Sequence, residues 1–234
     1  MNKTQVINLL KSHKNEAGME KWDKHLYKKK KLKSFGIGLT VLRKLAKQIG
    51  RERKLALQLW ESNIYDAKII ALLIDEPKQI TIAQAEEQVE QVDQGHLAHV
   101  FSSCNASLAK TPFVAELAQK WIESKDPTRR RCSYGLIYEL SKSKKKSAPD
   151  NDYFLACVNK IQNSYAKEEQ LVLLSMGGAL MGIGKRNVEL NKAALKLAKE
   201  IGPIAVESEN GQCDPFDVVK HLTSDYLKEK LQIK

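Results

Sequence analysis

The sequence predicts an all-α fold in which helical pairs stack one on the next. Three observations carry this. Apolar residues recur at three and four positions through nearly the whole chain, the spacing of one helical face. Strand-like alternation is almost absent, and only six prolines interrupt the pattern. Helix–turn–helix units return about every 35–40 residues, a period of HEAT-like repeats. Such pairs cannot bury their apolar faces alone, so they stack into an α-solenoid, an α-α superhelix with a concave surface. With 234 residues and 42% hydrophobic composition, residues 1–234 can form a single repeat domain with a sizeable core.

The elements follow in order. Ile7, Leu9 and Leu10 mark a short first helix, and a second runs from Gly18 to Lys30. Thr40 is placed to cap a third, with Val41, Leu42, Leu45, Ala46 and Ile49 on one side and Gly50 at its end. Helices are then expected at 52–62, 64–75 and 82–93, the last after Pro77 and a Thr81 cap. Others fall near 96–104, 113–124, 128–142, 150–164, 167–183, 188–201 and 215–230. Ser141 to Asp150 is rich in Ser and Lys and reads as an exposed loop. Gly202 to Pro215 holds Asn210-Gly211, which suits either a small hairpin or an irregular connection. Trp22, Trp60 and Trp121 sit at helical spacing and read as core.

Charge is distributed unevenly. Residues 1–60 hold 16 Lys/Arg against 4 Asp/Glu, whereas the rest holds 23 against 24. The whole excess of the +11 chain therefore lies in its first quarter, and a localised basic field of this kind points to a polyanion. Lys28, Lys29, Lys30 and Lys31 are consecutive, Lys33 follows and Tyr27 precedes them. Arg43, Lys44 and Lys47 add to the stretch, Arg43 and Lys47 sharing one helical face, and Arg51, Arg53 and Lys54 extend it. Such side chains reach phosphates without entering a groove, which gives sequence-independent binding. A second cluster spans 119–146, with nine basic residues against three acids, Arg129, Arg130 and Arg131 among them. Lys185 and Arg186 form a third. Residues 61–93, with eight acids and two lysines, are expected on the outer face.

The longest apolar run, Ile69 to Ile74, is too short to span a bilayer, and the N-terminus lacks the apolar core of a secretory signal. Cys104, Cys132, Cys157 and Cys213 are widely spaced and read as reduced thiols. A soluble, cytoplasmic monomer is expected. His96 and His99 form an H-x-x-H pair without a third ligand at convincing spacing, so no metal site is expected. The pair suits phosphate or base contacts, or simply a polar helix start. Tyr134 and Tyr138 suit either base stacking or core.

Several segments together carry a family resemblance. They are Phe35-Gly36-Ile37-Gly38, Arg43 through Lys47, Leu57-x-Leu59-Trp60 and Ala67-x-x-x-Ala71. Lys110-Thr111-Pro112-Phe113, Arg130-Arg131 and Ile183-Gly184-Lys185-Arg186-Asn187 follow in the same order. Over nearly its full length the chain resembles AlkD-type DNA alkylation-repair proteins. That resemblance implies a HEAT-like solenoid holding duplex DNA in a basic concave cleft. It also implies, for active members, excision of N3- or N7-alkylated purines with no metal or other cofactor.

The resemblance breaks where the chemistry should be. Active members carry a Trp-Asp-x-x-Asp element whose second Asp is the catalytic carboxylate. Here the stretch reads Gly95-His96-Leu97-Ala98-His99, with Gly95 at the aromatic position and His99 at the carboxylate. A second family tryptophan falls on Gly178, and the arginine of that segment on Met181. Arg131 and Tyr27 match cleft residues. A fixed carboxylate about 4 Å from the cationic sugar, at an effective dielectric of ~20, contributes about 4 kcal/mol, or roughly a thousandfold in rate. A neutral histidine supplies none of this. The expectation is therefore a DNA-binding protein without catalytic residues, its partner a duplex or a damaged or branched DNA. The alternatives are an active 3-methyladenine/7-methylguanine N-glycosylase with a rearranged site, Asp93 being the nearest carboxylate, and a protein-binding scaffold.

Overall fold

A computed structural model describes residues 1–24, 31–206 and 214–232. Among these residues the regular structure is helical, with two isolated β-bridges. Backbone packing divides the chain into two compact units, Met1–Phe113 and Val114–Lys234.

The first unit contains α1 (Lys3–Ser12), α2 (Glu16–Lys24), α3 (Leu39–Ile49), α4 (Arg53–Trp60), α5 (Tyr65–Ile74), α6 (Ile82–Val89) and α7 (Leu97–Ser102). Its centre is α5, which is buried on nearly every side and packs against α1, α3, α4 and α7. A predominantly apolar helix belongs inside, and YDAKIIALLI is such a sequence apart from Asp66 and Lys68. By contrast α3 is amphipathic: Leu42, Leu45 and Ala46 face inward while Arg43, Lys44 and Lys47 are exposed. The α3 cap differs from expectation. Gly38 is the N-cap and makes no side-chain cap bond, so Thr40 lies inside the first turn. Gly50 ends the helix at φ 78°, and Thr81 does cap α6, accepting from Gln84 N.

The acidic stretch 61–93 does not lie wholly on an outer face. Asp66 is buried, and its carboxylate accepts from Phe35 N at 2.7 Å, Ile37 N at 3.2 Å and Ser34 Oγ at 3.1 Å. Burial raises Asp66 above the ordinary carboxylate range, and these donors oppose the rise. Asp75 is buried too, paired with Arg53 at 2.8 Å and accepting from Gln84 Nε2 at 2.9 Å. Buried Lys68 donates to Trp60 O at 2.6 Å and to Gln91 Oε1, with Nζ 4.1 Å from the Trp60 ring centroid. Sequence composition cannot separate such anchored charges from solvated ones.

The second unit contains α8 (Val114–Ile122), α9 (Pro127–Lys142), α10 (Asn151–Ser164), α11 (Gln170–Gly184), α12 (Val188–Ile201), α13 (Val218–Leu222) and α14 (Asp225–Leu231). α9, α11 and α13 pack side by side in one layer, with α8 against α9 and α12 against α10, α11 and α13. α9 and α11 run parallel. Arg130 joins Glu168 at their N-terminal ends, and at the other end Arg186 Nη1 donates to the carbonyls of Ser141 and Ser143 at 2.6 and 3.1 Å. Gly182 permits the close approach, since a Cβ there would stand 2.8 Å from Tyr138 Cδ2. The helix expected at 215–230 is broken in two. Thr223 and Ser224 hydroxyls bond back to Val219 O and His221 O, which ends α13 before α14 begins. Ile204 and Phe216 form an antiparallel bridge, while Asn210 and Gly211 lie outside the described residues. Trp22, Trp60 and Trp121 are all buried.

Candidate nucleic-acid interface

On the first unit the amphipathic α3 turns Arg43, Lys44 and Lys47 outward, opposite the face that buries Leu42 and Leu45. Lys33 is exposed, its backbone bridged to Ile64, and Lys31 lies 3.7 Å from Asp23. Tyr27, Lys28, Lys29 and Lys30 lie outside the described residues. The basic stretch also contains residues with internal work. Arg51 donates to Asp75 O and to Ser107 Oγ at 3.0 Å, and Arg53 pairs with Asp75.

Gly95 is exposed, but its Cβ position is crowded. It adopts φ 53°, and an added Cβ would stand 2.9 Å from Tyr65 Cε2 and 3.0 Å from Trp22 Cζ3. The Trp22 and Tyr65 rings pack at 4.3 Å between centroids. Trp22 Nε1 donates to Leu32 O at 2.8 Å, Leu32 N donates to Gln94 Oε1 at 3.0 Å, and His96 N donates to Tyr65 Oη at 3.0 Å. Two aromatic rings from α2 and α5 thus fill the space beside Gly95. Sequence reasoning placed Trp22 in the core but missed this contact, which joins residues about seventy positions apart.

His99 is exposed on α7, with Nε2 3.0 Å from Cys104 Sγ. Cys104 and the next residue, Asn105, both adopt left-handed backbone, φ 57° and 60°. His96 lies at the N-cap of α7, and among the described residues no three His, Cys, Asp or Glu side chains gather as metal ligands. Asp93 Oδ1 is buried without a hydrogen-bond partner.

On the second unit the three arginines that open α9 have three different fates. Arg129 lies 3.3 Å from Asp126. Arg130 clasps Glu168 in a two-pronged pair, both contacts 2.7 Å, and its Nη1 also donates to Ser124 O and Lys125 O at 2.9 Å. That guanidinium has its hydrogen-bonding capacity largely engaged inside the fold. Arg131 is the opposite case. It is partly buried, burial pulls it below the ordinary arginine range, and among the described residues no hydrogen bond or ion pair engages it. Guanidinium does not shed its proton in proteins, so this charge persists with only solvent to meet it among the described residues.

Arg131, Tyr138 and Lys142 on α9, with Gly178 and Met181 on α11 and Lys185 at its C-cap, are exposed or partly exposed positions at helical spacing. Around Gly178 nothing approaches a Cβ within 4 Å. Tyr134 is core, its hydroxyl pushed far up by burial. Lys185 is held below the usual lysine range by burial and by Lys230. Arg186, besides capping α9, lies 4.4 Å from the Phe154 ring centroid. Each unit thus presents cationic side chains of its own at exposed or partly exposed positions.

Comparisons with known proteins bear on the family and the fold. The family described as DNA alkylation repair enzyme matches residues 6–206. The uncharacterized protein Lin0241 of Listeria innocua is 24% identical over 197 residues, covering 80% of this chain and 81% of its own. A solved structure from a family related to the HEAT-like repeat DNA glycosylases, with affinity for branched DNA structures, superposes with a TM-score of 0.80. It is 18% identical, covering 100% of this chain and 97% of its own, and the likeness is one of HEAT-like helical fold.

Proposed function

The chain belongs to the DNA alkylation repair enzyme family, and we propose that it is a DNA-binding member without base-excising chemistry. Arg131 carries this reading: a partly buried guanidinium with no anionic partner among the described residues. The exposed Arg43, Lys44 and Lys47 and the partly exposed Lys185 supply further phosphate contacts. The protein works as a cytoplasmic monomer without a cofactor. No helix among the described residues is long and apolar enough to cross a membrane. The solved relative's affinity for branched DNA makes junctions and flaps the ligands to compare with plain duplex.

Binding is expected to be steep in salt and nearly independent of sequence. With five or six phosphates contacted, log K falls against log salt with a slope near roughly −5. Replacing Arg43, Lys44 and Lys47 by Ala flattens that slope by about two to three. Arg131→Ala weakens binding more than Arg129→Ala, because Arg129 already has Asp126. A flat salt dependence measured by fluorescence anisotropy would remove the nucleic-acid reading in favour of a protein scaffold.

His99 supports the loss of chemistry. It stands at the carboxylate position, and its Nε2 lies at hydrogen-bonding distance from Cys104. A single-turnover assay with protein in excess is expected to release neither 3-methyladenine nor 7-methylguanine from alkylated DNA. One observation favours the opposing reading, the buried Oδ1 of Asp93. Excision by the unmodified protein that Asp93→Asn abolishes would establish a relocated carboxylate.

A further inference from the structure

A cavity of about 510 Å³ opens on the second unit where α9, α11 and α14 end. Five cationic side chains line it: Lys142 and Lys144 from the end of α9 and its following turn, Lys185 and Arg186 after α11, and Lys230 from α14. Among the described residues no carboxylate lines it. One of the five is already paired, Lys142 with Glu139 at 2.7 Å, and its Nζ also lies 4.6 Å from the Tyr138 ring centroid. The other four have no ion-pair partner among the described residues. Cations gathered in a concavity without carboxylate partners repel one another, and the fold uses only Arg186 among these four to clasp its helices.

The site is also built. Arg186 is fixed by two backbone carbonyls and the face of Phe154, and its buried Nε has no acceptor. Lys230 Nζ reaches Lys185 O at 3.5 Å, which ties α14 to the cavity wall. The low-lying Lys185 is consistent with a cation waiting for a counter-charge.

We propose that this cavity binds a phosphomonoester, the terminal phosphate of a nucleic acid strand or of a nucleotide. Two arguments select that chemistry. A phosphomonoester carries nearly two negative charges at neutral pH and three strong acceptor oxygens, matching several converging cations better than one phosphodiester does. A concavity of this size admits the end of a strand with its last sugar, whereas a continuous duplex backbone passes over its mouth. The strand-end form rests on the DNA-binding reading above. The phosphate chemistry does not.

The test uses the full chain in two arms. In the first, inorganic phosphate and deoxyadenosine 5′-monophosphate are titrated by calorimetry, with deoxyadenosine as control. Both phosphates bind and the nucleoside does not. Lys185→Gln with Lys230→Gln weakens phosphate binding about tenfold or more, and Lys144→Gln, on an exposed turn where folding is not at issue, weakens it by a smaller factor. In the second arm, two nicked duplexes of one sequence are compared, one with a 5′-phosphate at the nick and one with a 5′-hydroxyl. A preference of about tenfold for the phosphorylated nick, reduced to parity in the double variant, assigns the cavity to strand ends. Parity in the unmodified protein, with phosphate binding still lost in the variants, assigns it to free phosphate compounds. Absence of phosphate binding, or binding indifferent to all three substitutions, overturns the proposal. Because the first arm contains no DNA, its failure is distinct from failure of the DNA reading.

Discussion

Gly95 and Gly178 both stand where the resemblance places a tryptophan, yet their surroundings are opposite. Beside Gly95 the rings of Trp22 and Tyr65 leave no room for even a methyl group, and the backbone is left-handed. Beside Gly178 the space is empty to 4 Å on an ordinary helix. Aromatic rings crowd the Cβ position of the first, whereas that of the second meets nothing within 4 Å. The same residue type therefore has opposite freedom to accept a side chain at the two positions.

This contrast makes the largest predicted effect a destabilisation. Gly95→Trp should cost more than about 4 kcal/mol, because it adds overpacking to left-handed strain, and even Gly95→Ala should cost about 3 kcal/mol. Urea unfolding measures both. A Gly95→Trp protein of undiminished stability would break the comparison, since it would mean that Trp22 and Tyr65 give way. Next in size is Arg130→Ala. It strands Glu168, whose side chain is 6% exposed, and should cost about 2–3 kcal/mol while Arg131→Ala costs under about 1 kcal/mol. Smallest is Gly178→Ala, expected to stabilise α11 by about 0.5–1 kcal/mol through helix propensity alone. A loss of stability there would show that the open wall is occupied by something packed against it.

A chemical probe sharpens the comparison further. Cys104, half-exposed beside His99, should react with iodoacetamide faster than Cys132 and Cys157, which are buried. Burial pushes the Cys157 thiol up to about 12, so it is almost wholly protonated at neutral pH. Mass spectrometry of partial labelling at neutral pH reads the order directly.

The helical architecture was largely legible, because amphipathic periodicity is a local signal. The stripe Leu42, Leu45, Ala46 in α3 announced both its buried face and the outward lysines. What periodicity could not announce was partnership across the fold. Arg130 and Arg131 are neighbours in sequence but about 100° apart around α9, and only one of them meets Glu168. Asp66 and Asp75 looked like surface acids because the donors that bury them come from other segments. The break between α13 and α14 depended on two hydroxyl groups returning to carbonyls, a choice that Thr223 and Ser224 permit without dictating it. Lys230, the lysine that closes the basic cavity, carried no signal, being one charged residue on a short terminal helix.

The two clasps between α9 and α11 have a mechanical consequence. Arg130 pins the helices at one end and Arg186 at the other, so the pair should behave as a plank rather than as two rods. Along it, about 16 Å of helix axis separates Arg131 from Lys142 at the edge of the cavity. A ruler of that stiffness cannot adapt its length to what lies on it. Nucleic acid that engages both ends must supply the deformation itself, and strands already interrupted or kinked do so at the least elastic cost.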